Sequence, residues 1–114
     1  MSFFNIFSKK DINDGVREFR GSEKAILLDV RSAAEYESGH IEDSHNLPLE
    51  YISEYASLIP DKDAHVYLHC LSGARSSLAA SYLKKKGYKN VHDIGGIRDY
   101  KGKLAHSFKE NVYA

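Results

Sequence analysis

Apolar residues along the 114-residue chain fall into two alternating patterns. Short continuous runs read as strands buried on both faces, and stretches with apolar residues every three or four positions read as amphipathic helices. Between Asp11 and Arg20, Ile12, Val16 and Phe19 stand at helical spacing; Gly15 weakens this helix and Gly21 stops it. Ala25-Ile26-Leu27-Leu28 is an apolar run ending in Asp29-Val30-Arg31. Ser32-Ala33-Ala34-Glu35 then matches a capping box, with Ser32 as N-cap and Glu35 reaching back, and opens a short helix that Gly39 ends.

After His40-Ile41 and a polar turn, Asn46-Leu47-Pro48-Leu49 predicts a short strand. It leads into a helix with Tyr51, Ile52, Tyr55, Leu58 and Ile59 on one face. Pro60-Asp61-Lys62-Asp63 is a turn, and Ala64 to Leu68 a strand. From Ser76 to Lys86, residues Leu78, Ala79, Tyr82 and Leu83 form an apolar stripe; Gly87 caps this helix, and three lysines in its last turn suit the negative end of its dipole. Val91-His92-Asp93-Ile94 is a last strand. Gly95-Gly96 turns the chain into a short helix bearing Ile97, Tyr100 and Leu104, and residues 105–114 form a weakly patterned tail.

Strands alternating with helices predict an α/β fold, a parallel sheet of about five strands with helices on both faces. At this length the expectation is one domain, residues 1–114, with its core over about 11–104. The N-terminal segment carries Phe3, Phe4, Ile6 and Phe7, broken by Asn5 and followed by charges, the reverse of a signal peptide. It is predicted to be a short first strand or an apolar plug rather than a membrane-touching tail. No stretch is long enough to span a membrane, and the cytoplasm is the expected location.

Sixteen basic residues balance sixteen acidic ones, which argues against an extended nucleic-acid footprint and leaves room for a local basic pocket. Six histidines lack metal-ligand spacing and there is one cysteine, so neither a metal site nor a cofactor is expected. The eight tyrosines read as core and rim material.

The candidate chemistry sits in Val66-Tyr67-Leu68-His69-Cys70-Leu71-Ser72-Gly73-Ala74-Arg75-Ser76-Ser77: a buried strand, a tight loop opened by the single cysteine, and the start of a helix. A lone cysteine in a small protein is ordinarily an inert packing residue. Here converging backbone N–H groups and a helix N-terminus make an anion site and favour thiolate. Cys70 is thus a candidate nucleophile whose reagent is a small anion. In parallel sheets ligands bind beyond the carboxyl ends of strands, where Cys70, Asp29 and Arg31 all stand. His69 is expected to point away from the loop as a half-buried structural residue.

Leu28-Asp29-Val30-Arg31, Glu35-Tyr36, Gly39-His40-Ile41, Asn46-Leu47-Pro48-Leu49, Cys70-Leu71-Ser72-Gly73-Ala74-Arg75-Ser76, Gly87-Tyr88, Val91 and Gly95-Gly96 occur in an order that resembles a single-domain rhodanese. The resemblance runs from about Asp11 to Leu104. It implies a rhodanese fold and a thiosulfate-type sulfurtransferase that works through a Cys70 persulfide. The donor would be a small anionic sulfur compound and the acceptor cyanide, a thiol or a protein. The N–H groups of Leu71, Ser72, Gly73, Ala74, Arg75 and Ser76 would surround the anionic sulfur, each such donor contributing on the order of 3 kcal/mol. Arg75 has two readings, a grip on the donor's sulfonate or a salt bridge that fixes the loop, and Arg31 has the same two. Asp29 and Glu35 are expected to tie Arg31 and the loops together.

Four residues separate Cys70 from Arg75, where related phosphatases have five, and a shorter loop makes a smaller cradle. This ranks a cysteine phosphatase or arsenate reductase second, and a docking or sensing module, which often lacks the cysteine, third. His40 resembles a family position near the site but is read as structural. The chain departs from the family at Glu42-Asp43-Ser44-His45, which would add acid near the anion site if that turn faced the mouth. Tyr100 stands where relatives often carry tryptophan, a change expected to affect packing rather than chemistry.

Overall fold

A computed structural model describes residues 11–106. The N-terminal apolar segment, with its expected strand or plug, lies outside these residues, as does the tail beyond His106. Helix α1 (Ile12–Arg20) is capped by the Asp11 carboxylate, which accepts from Asn13 N–H at 2.7 Å, and ends at Gly21. Strand β1 (Ala25–Asp29) follows, then α2 (Ala33–Ser38) and the short β2 (His45–Asn46). A 3₁₀ segment, Leu49–Ser57, leads to β3 (His65–Cys70), α3 (Ala74–Lys85), β4 (Asn90–Gly96) and a single 3₁₀ turn, Ile97–Asp99.

Among the described residues the strands form one parallel sheet in the order β2-β1-β3-β4. Side chains alternate across it. Leu28, Val66, Leu68 and Cys70 face Ile52, Ile59, Ala79, Ala80 and Leu83. Leu27, Tyr67 and Ile94 face Ile12 and Val16 of α1, together with Ile41 and Ile97. Both faces are covered, which is why the strands read as continuous apolar runs.

The capping box at α2 is formed as read, with Glu35 N–H donating to Ser32 Oγ at 3.2 Å and Ser32 N–H to Glu35 Oε1 at 2.9 Å. The helix predicted around Tyr51 is instead a 3₁₀ segment broken at Tyr51 and Glu54. Only Ile52 of it is fully buried, and Tyr51 stands half exposed. A repeat of three still sets Ile52, Tyr55 and Leu58 in line against the core, with Ile59 buried beyond them, and it is Tyr51, at the first break, that leaves the expected stripe. The stripe on α3 is also displaced. Ser76, Ala79, Ala80 and Leu83 face the sheet, and Leu78 points to solvent with 63% of its surface exposed. Small residues at 79 and 80 let the helix approach the strands closely, and that choice rotates Leu78 outward.

The helix predicted to reach Leu104 stops after one turn, because Tyr100 takes an extended conformation. Tyr100 packs on the α1-side core, and Leu104 is 38% exposed. The start of the tail is pinned: His40 and Ala105 exchange backbone hydrogen bonds at 2.8 and 2.7 Å. His40 also stacks on Tyr36, with ring centroids 3.8 Å apart, consistent with a structural role. The Glu42-Asp43 turn precedes β2 and so lies towards the amino ends of the parallel strands. Asp43 pairs there with Arg20 at 2.9 Å, and no acid is added to the mouth of the anion site.

Candidate active site

Cys70 is the last residue of β3 and is 1% exposed. The three residues after it turn the chain into α3, and Gly73 makes the turn at φ +111°, a conformation costly to residues with a Cβ. No side chain of the helix's own N-cap residue closes its first turn. The cysteine sulfur takes that place. Sγ accepts from Gly73 N–H at 3.0 Å and from Ser76 N–H at 3.4 Å, and it lies 3.6 Å from Ser76 Oγ. Ser76 is the third residue of α3, so Sγ stands where an N-cap oxygen ordinarily accepts. The helix runs twelve residues behind it, with its positive end at the sulfur.

Burial pushes the Cys70 thiol up. The Ser76 hydroxyl and the backbone N–H groups of Ser76, Gly73 and Ser72 outweigh this, and the thiol sits below its ordinary value. Of the predicted cradle residues, the structure brings the N–H groups of Gly73 and Ser76 into hydrogen-bond reach of the sulfur. Leu71 is partly exposed, and its carbonyl accepts from Arg98 N–H at 3.2 Å. Ala74 opens α3. The end of β4 presses on this loop from below. A Cβ at Gly96 would stand 2.2 Å from Leu71 O and 2.6 Å from Ser72 Cα, so only glycine fits against the loop backbone.

Arg75 is engaged by a carboxylate. Its guanidinium forms a two-pronged pair with Glu35 of α2, at 2.7 and 3.1 Å. Glu35 is therefore shared: it caps its own helix through Ser32 and ties that helix to the cysteine loop. The Arg75 pairing holds the Glu35 carboxyl down at about 2, against the opposing effect of burial. A folded value below the unfolded one contributes stability above about pH 4.5 that is lost as pH falls to about 2. The expected result is a Glu35 carboxyl ¹³C titration with its midpoint near 2, returning toward 4.5 in Arg75→Gln. A midpoint near 4.5 in the unsubstituted protein would show that the pair is absent in solution.

Arg31 and Asp29 sit behind the site, not in it. Asp29 is fully buried and Arg31 nearly so. Arg31 Nε donates to both carboxylate oxygens at 3.0 and 3.1 Å, and Arg31 Nη2 donates to Asp29 at 2.7 Å and to Gly39 O at 2.7 Å. Asn46 Nδ2 closes the same turn by donating to the Asp29 and Arg31 carbonyls at 2.9 Å. His69 points away from the loop as expected but is fully buried rather than half-buried. Its Nε2 lies 3.8 Å from Asp29, and burial pushes the imidazole down, toward the neutral form.

Sequence reasoning missed Asp93. Its carboxylate accepts from Ser76 Oγ at 2.8 Å and from Gly95 N–H at 3.1 Å. The signal was present: an acid inside the apolar run Val91–Ile94, at the carboxyl end of the strand beside Cys70, before Gly95-Gly96.

Among the described residues no helix is long and apolar enough to cross a membrane. The description "Rhodanese-like domain" matches residues 13–103. The chain is 43% identical over 77 residues to a sulfurtransferase of Allochromatium vinosum, covering 67% of this chain and 71% of that protein. It is 34% identical over 73 residues to the thiosulfate sulfurtransferase PspE of Escherichia coli, covering 63% and 70%. A solved rhodanese with anions from E. coli superposes with a TM-score of 0.68 at 30% identity, over 73% of this chain and 99% of that one. The matched span holds every element from the Arg31 turn to the cysteine loop and β4, and the chain belongs to the rhodanese-like domain family.

Proposed function

We propose that the protein is a sulfurtransferase that moves a sulfane sulfur from thiosulfate, or a similar small anion, to a thiophilic acceptor through a Cys70 persulfide. The observation that carries this reading is the buried Cys70 sulfur held by the N–H groups of Gly73 and Ser76 at the N-terminus of α3. The relatives named as sulfurtransferases, one of them specifically for thiosulfate, support it.

The cycle has two displacements. Cys70 thiolate attacks the outer sulfur of thiosulfate; a new S–S bond forms, the donor's S–S bond breaks, and sulfite leaves with the electron pair. The acceptor then attacks the terminal sulfur. A bond from acceptor to sulfur forms, the persulfide S–S bond breaks, and Cys70 thiolate returns. With cyanide as acceptor the product is thiocyanate. The loop N–H groups of Leu71, Ser72, Gly73, Ala74, Arg75 and Ser76 form the wall against which the anionic terminal sulfur sits, and the Ser72 and Ser76 hydroxyls supplement them. Arg75 serves by fixing the loop through Glu35, and Asp29 with Arg31 braces the turn behind it.

Intact mass after incubation with thiosulfate tests the first half-reaction. A gain of one sulfur atom that cyanide removes is the expected result. A folded protein with a free thiol that gains nothing from excess donor would overturn the thiosulfate reading.

A further inference from the structure

Three acceptors compete for one proton beside the cysteine. The Ser76 hydroxyl is fully buried and lies 2.8 Å from Asp93 Oδ1, 3.2 Å from the Gly73 carbonyl oxygen and 3.6 Å from Cys70 Sγ. A hydroxyl has one hydrogen to donate. The carboxylate is the nearest of the three, and charge-assisted bonds are the stronger kind. With that hydrogen on Asp93, a lone pair of Oγ faces the sulfur and accepts its S–H. The thiolate needs the reverse arrangement, in which the hydroxyl leaves Asp93 and donates to sulfur.

The fold builds Asp93 into this position. Leu68 pairs with Asp93 and Cys70 pairs with Gly96, so two steps along β3 are matched by three along β4. The extra residue is accommodated with Gly95 at φ +97°, and Gly95 N–H anchors Asp93 Oδ1. Such a bulge re-aims a side chain at a sheet end. The other charged or titratable groups around Cys70 are already engaged. Arg31 is paired with Asp29, Arg75 with Glu35, and His69 stands on the opposite face of β3. Among the described residues, Asp93 is the ionisable side chain bonded to a group that itself touches the Cys70 sulfur.

We propose that Asp93 is a positioning residue that acts through the Ser76 hydroxyl to decide how readily Cys70 gives up its proton. By drawing the Ser76 hydrogen to itself it offsets part of the loop's pull toward thiolate, so the resting cysteine keeps more of the thiol form, which oxidants attack more slowly, than the N–H groups alone would leave it. The proposal rests on the reading of Cys70 as nucleophile, and its test uses no sulfur donor, so a failure of sulfur transfer leaves the readout intact.

The test is the rate of Cys70 alkylation by iodoacetamide against pH. In Asp93→Asn the midpoint of the pH–rate curve is expected to fall by about one unit, raising the rate well below the original midpoint about tenfold. In a Ser76→Ala background the same substitution is expected to move the midpoint by less than half as much. Asp93→Ser also removes the charge while keeping an oxygen for Gly95 N–H, so a folding failure of one variant leaves the other to decide. An unchanged or raised midpoint overturns the proposal. So does an equal shift in both backgrounds, which would mean that the charge acts through space without Ser76.

Discussion

Replacing Cys70 by serine is expected to lower thiosulfate–cyanide turnover about a thousandfold or more, to the background rate, while leaving the protein folded. The substitution keeps the shape of a side chain that is 1% exposed and in contact with Gly73, Ser76 and the sheet-face core, so the loop has no reason to collapse. It removes the thiol sulfur on which the proposed persulfide forms. A hydroxyl is barely ionised at neutral pH, and the loop that lowers a thiol cannot bring an alcohol into that range. The N–H cradle would still accept an anion, so donor binding is expected to survive where turnover does not. Turnover within tenfold of the unsubstituted protein, in a preparation whose mass confirms the change, would remove Cys70 from the role of nucleophile.

What the chain's pattern revealed and what it hid divide by distance along the sequence. The Ser32–Glu35 box, the Gly73 turn and the placement of Cys70 at a strand end are local, and local rules of capping and periodicity identify them. The choice between two roles for Arg75 was not local. Its partner Glu35 lies forty residues away, and only the folded chain brings the two side chains together. Asp93 was hidden for a related reason. Its place before Gly95-Gly96 is local, but only the bulge formed when β4 pairs with β3 aims the carboxylate at Ser76. Leu78 was misplaced because helical spacing fits two adjacent faces of α3. The small residues that allow close approach to the sheet decide between them.

Arg31→Leu is expected to destabilise the protein by about 3–5 kcal/mol, measured as a fall in the urea midpoint with an unchanged slope. The reason is what stays behind. Asp29 has no exposed surface, and three of its hydrogen bonds come from the Arg31 side chain. Leucine covers the apolar walls but leaves a buried carboxylate with the residue-31 N–H and without the guanidinium that neutralised it, 3.8 Å from the buried His69 Nε2. Gly39 O, at the far end of α2 from Glu35, loses its donor at the same time, so the short helix that presents Glu35 to Arg75 loses an anchor. Removing the stranded charge separates the two effects. The double variant Asp29→Asn/Arg31→Leu is expected to recover about half of the loss, because an amide can stay buried neutral and still accept the residue-31 N–H. If the single variant loses less than about 1 kcal/mol, the pair is as dispensable as a surface salt bridge, and the brace behind the cysteine loop must be sought in the Asn46 bonds instead.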